Sequence, residues 1–176
     1  TGSGETLSLK AIVVRKKSDD HLFKRAELMR RDSVHGNFKG TIRVDLDEYG
    51  LVINGNLIKF IDGDPSNIDY KKYGLENALI IDNSGAWRDE KGLSEHLKSK
   101  GVSKVLLTAP TKAPLKNIVY GVNESDLNNT DKIVGAASCT TNAIVPLLKA
   151  LDDDYGINNG HVEIYLLQIL LWHISP

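Results

Sequence analysis

Cysteine is almost absent from the chain: among 176 residues there is one, Cys139. A lone thiol forms no internal disulfide, which excludes a bridge-stapled secreted scaffold and makes a reducing compartment, the cytoplasm by default, the expected location. An excess of either charge is missing too. The 22 Lys and Arg stand against 23 Asp and Glu, a formal net charge of -1, so neither nucleic acid nor an anionic membrane is an expected partner. Long apolar runs are also lacking. The longest, "IYLLQILLWHI" (164–174), is interrupted by Gln168 and has about half of the roughly 20 residues a membrane-spanning helix needs. No basic-then-apolar leader opens the chain. It starts at Thr1 without methionine, so the numbering is expected to begin inside a longer protein. No metal site is expected, and there is no internal repeat or low-complexity tract.

What remains is an ordinary globular composition, 41% hydrophobic and 26% charged, enough for one full domain and part of another. Short apolar runs rich in β-branched residues alternate with longer amphipathic segments, the pattern of an α/β fold with a mostly parallel, Rossmann-like sheet. The predicted strands are "LKAIVV" (9–14), "ALIID" (78–82), "KVLLT" (104–108) and "NIVYGV" (117–122). Predicted helices fall between them. "DDHLFKRAELMRR" (19–31) sets Leu22, Ala26 and Met29 on one stripe, and "DEKGLSEHLKSK" (89–100) does the same with Leu93 and Leu97. One segment breaks the alternation: within 41–62, period-two patterning surrounds Asn54-Gly55, a pair suited to a tight hairpin turn, so an antiparallel β-hairpin is inserted into the parallel sheet.

The N-terminal "TGSGETLSLKAIVV" imitates a dinucleotide loop without meeting its requirements. Such a loop follows a strand and opens a helix, whereas Gly2 and Gly4 precede a strand and the third glycine is missing. The better cofactor signal is the end of that strand, where Arg15, Lys16 and Lys17 stand. Dinucleotide folds place a ribose-reading residue about 20 positions after the glycine loop, so the loop itself is expected before residue 1. Basic groups at that position favour a 2'-phosphate, as in NADP, over the bare hydroxyl of NAD. A solvated surface charge run is the competing reading.

Cys139 lies in "AASCTTNAIVP" (136–146). An arbitrary lone cysteine is more often a small buried hydrophobe than a nucleophile. Here Ser138, Thr140 and Thr141 supply capping hydroxyls, and "TTNAIVPLLKALDDD" (140–154) reads as a helix, so the sulfur is expected at a helix start. The partial positive charge there favours the thiolate, the nucleophilic form. Pro146 lies deeper than the first turn and predicts a kink.

"ASCTTN" (137–142) resembles the active-site signature of the phosphorylating glyceraldehyde-3-phosphate dehydrogenases. "RDSVHGNFKG" (31–40), the stretch 83–123 from "NSGAWRDEKG" to "IVYGVN", and "GINNGHVE" (156–163) resemble the same family in order and spacing, from about residue 9 to residue 163. The wording around "AIVVRKK" is similar to a bacterial subgroup. This resemblance implies an incomplete NAD(P)-binding domain over 1–138, with the cysteine helix and the start of a catalytic domain over 139–176. It further implies that Cys139 attacks an aldehyde, that hydride passes to NAD or NADP, and that inorganic phosphate opens the resulting thioester to an acyl phosphate. Ser138 and Thr140 match phosphate-holding positions; Ser84, Gly85 and Thr108 match cofactor-contacting loops at strand ends. Small phosphorylated aldehydes and inorganic phosphate are the implied partners, and intact relatives are expected to be homotetramers. Departures accompany the match. The family's base histidine falls at Leu166, neither His161 nor His173 fits its motif, and nothing from Ile164 onward resembles the family. The 176 residues alone are therefore expected to be inactive. The alternatives are an erythrose-4-phosphate-type dehydrogenase, or a non-catalytic nucleotide-binding or interaction remnant.

Overall fold

A computed structural model describes residues 7–14, 21–32 and 36–164. In chain order these form β1 (Ala11–Val14), α1 (His21–Arg30), β2 (Arg31–Asp32), β3 (Gly36–Asn37), β4 (Ile42–Asp45), β5 (Gly50–Ile53), β6 (Asn56–Asp62), a 3-10 turn (Tyr70–Tyr73), β7 (Ala78–Asp82), α2 (Glu90–Lys98), β8 (Val102–Leu107), a 3-10 turn (Glu124–Asp126), β9 (Ile133–Gly135) and α3 (Cys139–Tyr155). They fall into two compact units, Thr1–Ile80 with Ser94–Lys104, and Ile81–Leu93 with Val105–Pro176. No helix among the described residues is long and apolar enough to cross a membrane.

The first unit carries a sheet in the order β1-β6-β5-β4. β1 runs parallel to β6, with Ile12 beside Phe60 and Val14 beside Asp62. The β5–β6 hairpin closes through Asn54 and Gly55, both at positive φ (49° and 83°). Two successive positive values give the turn whose twist matches the flanking strands, which is why Asn-Gly is preferred there. α1 packs Leu22 and Ala26 against Val14, Leu51 and Phe60, with half-buried Met29 beside them, so the predicted helical stripe faces the core. A second cluster joins Ile61, Ile68 and Tyr70 to Ala11, Val13, Leu75, Ile80 and Val102. The parallel pairing and the inserted hairpin bear out the Rossmann-like α/β reading.

In the second unit β8 pairs in parallel with β9, Val105 to Ile133 and Leu107 to Gly135. β9 corrects the sequence reading. "NIVYGV" (117–122) forms no strand; only Asn117 bridges, to Gly135. The Ile118 N–H donates to Gly135 O at 2.8 Å, but from Val119 on the backbone is taken up by turns: the Val119 N–H donates to Asn123 Oδ1 at 2.8 Å, and the Val122 N–H to Val119 O at 3.1 Å. Local side-chain acceptors have won over β propensity. α3 spans 17 residues, runs through Pro146 and has no fully buried residue.

Candidate functional site at the sheet edge

Asp82 closes β7, and its carboxylate accepts the Ser84 N–H at 2.8 Å. Such an Asx turn substitutes a side-chain oxygen for a backbone one. Ser84 Oγ then accepts the Ala86 N–H at 3.2 Å. Between them Gly85 sits at φ 73°, with open space where a Cβ would stand. Thr108, just past β8, donates its N–H (3.0 Å) and its hydroxyl (3.3 Å) to the carbonyl of Asp82. β7 and β8 therefore end together, with Ser84, Gly85 and Thr108 exposed at their C-terminal edge.

β9 ends at the same edge, since the Ala136 N–H donates to Leu107 O at 2.8 Å. Gly135 has no room for a side chain: a Cβ there would lie 2.7 Å from both Asn117 Oδ1 and Thr111 Cγ2. Asn117 mimics a strand partner for Thr111, accepting its N–H at 2.8 Å and donating Nδ2 to its carbonyl at 3.2 Å. The loop after β8 is thus pinned against the end of β9.

Beyond Gly135 the chain turns through Ala137, buried and at φ 58°, and reaches Ser138 in extended conformation as the N-cap of α3. Ser138 Oγ accepts the Thr141 N–H at 3.0 Å and lies 2.7 Å from Thr141 Oγ1. Cys139 is the first residue of the helix and is exposed. Its Sγ lies 3.9 Å from Thr140 Oγ1. No acidic side chain occupies the first turn, so nothing in that turn offsets the positive end of the helix dipole. The acids gather at the far end, where Asp153 pairs with Lys149 at 2.9 Å and raises the pKa of that exposed ammonium.

Ser84, Gly85, Thr108, Ser138, Cys139 and Thr140 thus belong to one unit, whose strands all end on the edge where open α/β sheets bind ligands. Arg15, Lys16, Leu166 and His173 lie outside the described residues. His161 is exposed and pairs with Glu163 at 3.4 Å. Three positions escaped the sequence reading: Asp82, Ala137 and Asn142, whose Nδ2 donates to Ala136 O at 2.7 Å and to Ser138 O at 2.9 Å. "DNS" at 82–84 carried an Asx-turn signal. Nothing in the sequence marks an alanine for the left-handed region.

Parallel strands ending in exposed hydroxyls, followed by a capped helix that opens on a cysteine, define a Rossmann-like α/β unit with a thiol at its sheet edge. Residues 5–90 match the family described as glyceraldehyde 3-phosphate dehydrogenase, NAD binding domain. A glyceraldehyde-3-phosphate dehydrogenase-like protein of Pseudomonas aeruginosa is 59% identical over 93% of the chain. The glyceraldehyde-3-phosphate dehydrogenases of Streptococcus pyogenes and Ajellomyces capsulatus are each 37% identical over 77% of it. The chain belongs to the glyceraldehyde-3-phosphate dehydrogenase family. It spans 36% of the length of the first of these relatives and 39% of the other two. The matched domain sets the cofactor class as a nicotinamide adenine dinucleotide. Open space beside Gly85 and the exposed Ser84 and Thr108 hydroxyls fit such a ligand.

Proposed function

We propose that this chain is the cofactor-binding and nucleophile-bearing portion of a cytoplasmic phosphorylating aldehyde dehydrogenase acting on glyceraldehyde 3-phosphate. The observation that carries the reading is the exposed Cys139 at the first position of α3, on the sheet edge shared with Ser84 and Thr108. The thiolate adds to the aldehyde carbon, and the carbonyl oxygen takes up a proton to give a thiohemiacetal on Sγ. A bound NAD(P) supplies a two-electron hydride acceptor. With hydride and the hydroxyl proton lost, Sγ holds a thioester; inorganic phosphate attacks it, the C–S bond breaks, and acyl phosphate leaves as the thiolate returns.

Ser138 and Thr140 are assigned to holding phosphate beside the sulfur, and Ser84, Gly85 and Thr108 to the dinucleotide. Arg15 and Lys16, outside the described residues, are assigned to a 2'-phosphate; this requires NADP to bind at least as tightly as NAD in competition. Homotetramers are the expected assembly of intact relatives. Leu166 stands where the family resemblance expects a base histidine. Losing acid-base help lowers a rate by about 10²- to 10⁴-fold, so the 176 residues alone are expected to show almost no phosphate-dependent NAD(P) reduction. Alkylation therefore tests the nucleophile directly. Iodoacetamide at neutral pH is expected to label folded Cys139 faster than the denatured chain, and glyceraldehyde 3-phosphate to protect it. Equal rates in both states, with no protection, would reject the reading.

A further inference from the structure

Ala137 holds a left-handed backbone conformation (φ 58°) while its side chain is buried at 7% exposure. A residue with a Cβ is disfavoured in that region and stays there only when its surroundings hold it. The carbonyls on either side of Ala137, those of Ala136 and Ser138, both accept from Asn142 Nδ2, at 2.7 and 2.9 Å. Both partners are acceptors, so the two amide hydrogens must face them; a flipped amide would set oxygen against oxygen. The far side of the turn is tied down separately, through the Ala136 N–H to Leu107 O. Asn142 itself is exposed, so it fills no core space.

We propose that Asn142 is a positioning residue: its amide clamps the two carbonyls around Ala137, locks the left-handed turn, and so holds Cys139 at the start of α3. The proposal rests on Cys139 being the nucleophile, and it deepens that reading. Asn142 acts on the sulfur only through the turn. Its amide also leaves the cap bond from Thr141 to Ser138 untouched, so its effect is separable from capping.

The test is a double-variant cycle in the 176-residue chain with Asn142→Ala, Ala137→Gly and the pair. Glycine reaches the left-handed region without strain, so it removes the need for the clamp. Asn142→Ala is expected to lower the urea midpoint and to slow iodoacetamide alkylation of Cys139 about threefold, the scale of helix-start stabilisation of a thiolate. Ala137→Gly is expected to stay near wild type, and in its background Asn142→Ala should lose most of its effect on both readouts. Equal losses in the two backgrounds would overturn the clamp, as would a silent Asn142→Ala. Should Asn142→Ala fail to fold, recovery in the pair supports the clamp and continued failure overturns it. Wild-type alkylation no faster than in the denatured chain rejects the nucleophile, while coupling of the urea midpoints still decides the clamp.

Discussion

Ser138→Ala isolates the cap from the rest of the site. The substitution removes the oxygen that accepts the Thr141 N–H at 3.0 Å and takes away the 2.7 Å partner of the Thr141 hydroxyl. Losing a serine cap costs about 1 kcal/mol. α3 has little to fall back on, because none of its 17 residues is fully buried, and helices of this length draw most of their stability from packing. A loss of about 1 kcal/mol raises the population of the opened first turn about fivefold. The assay is amide hydrogen exchange at Thr141, whose N–H donates to the cap. Exchange about fivefold faster in Ser138→Ala, with near wild-type protection restored by Ser138→Thr, is the expected pattern. Alkylation of Cys139 should slow in parallel, since a frayed turn no longer holds the sulfur at the positive end of the helix. Unchanged exchange at Thr141 would refute the reasoning, because the cap would then contribute nothing to the turn that carries the thiol.

Gly135→Ala would drive a Cβ to 2.7 Å from Asn117 Oδ1 and Thr111 Cγ2; overpacking of this kind costs about 1–3 kcal/mol, read as a lower urea midpoint, and an unchanged midpoint would show that the loop yields freely. Tyr70 gives the pH prediction. Burial pushes its hydroxyl from the ordinary 10.0 up to about 12, and its oxygen has no hydrogen-bond partner. With the folded value raised, the stability it lends is complete below about pH 10 and is lost as pH rises towards 12, on the order of a few kcal/mol in all. Urea titrations at about pH 9 and about pH 11.5 should therefore show a steeper loss in wild type than in Tyr70→Phe; identical slopes would contradict it.

The fold was legible wherever a local rule and the tertiary setting agreed. Leu22, Ala26 and Met29 share one face because a 3.6-residue period aligns them, and that face meets the sheet. Asn54-Gly55 turns the hairpin because both residues tolerate the positive φ that strand twist demands. The failure at 117–122 has the opposite cause. Ile118, Val119 and Tyr120 carry β propensity, but Asn117 and Asn123 offer side-chain groups that satisfy the neighbouring backbone without a ladder. β9 then takes the place beside β8 with only three residues, too short for its own periodicity to announce.

At the site the same division separates chemistry from support. Cys139 and Ser138 were readable because a hydroxyl before a helix and a thiol at its first turn follow from backbone hydrogen bonding over a few residues. Ala137 and Asn142 were not. The left-handed turn exists because the end of β9 must leave the sheet and enter α3 between two fixed points: Ala136, bonded to Leu107, and Ser138, bonded to Thr141. That constraint arises from pairing of β8 with β9, about 30 residues apart in sequence, so no local pattern encodes it. The side chain that answers it is chosen by geometry alone: an amide of the right length, one helical turn on, with two donors for two carbonyls. A short motif can therefore name the atom expected to react while saying little about the backbone that aims it, and the second kind of residue emerges only when each strained angle is traced to the bonds that hold it.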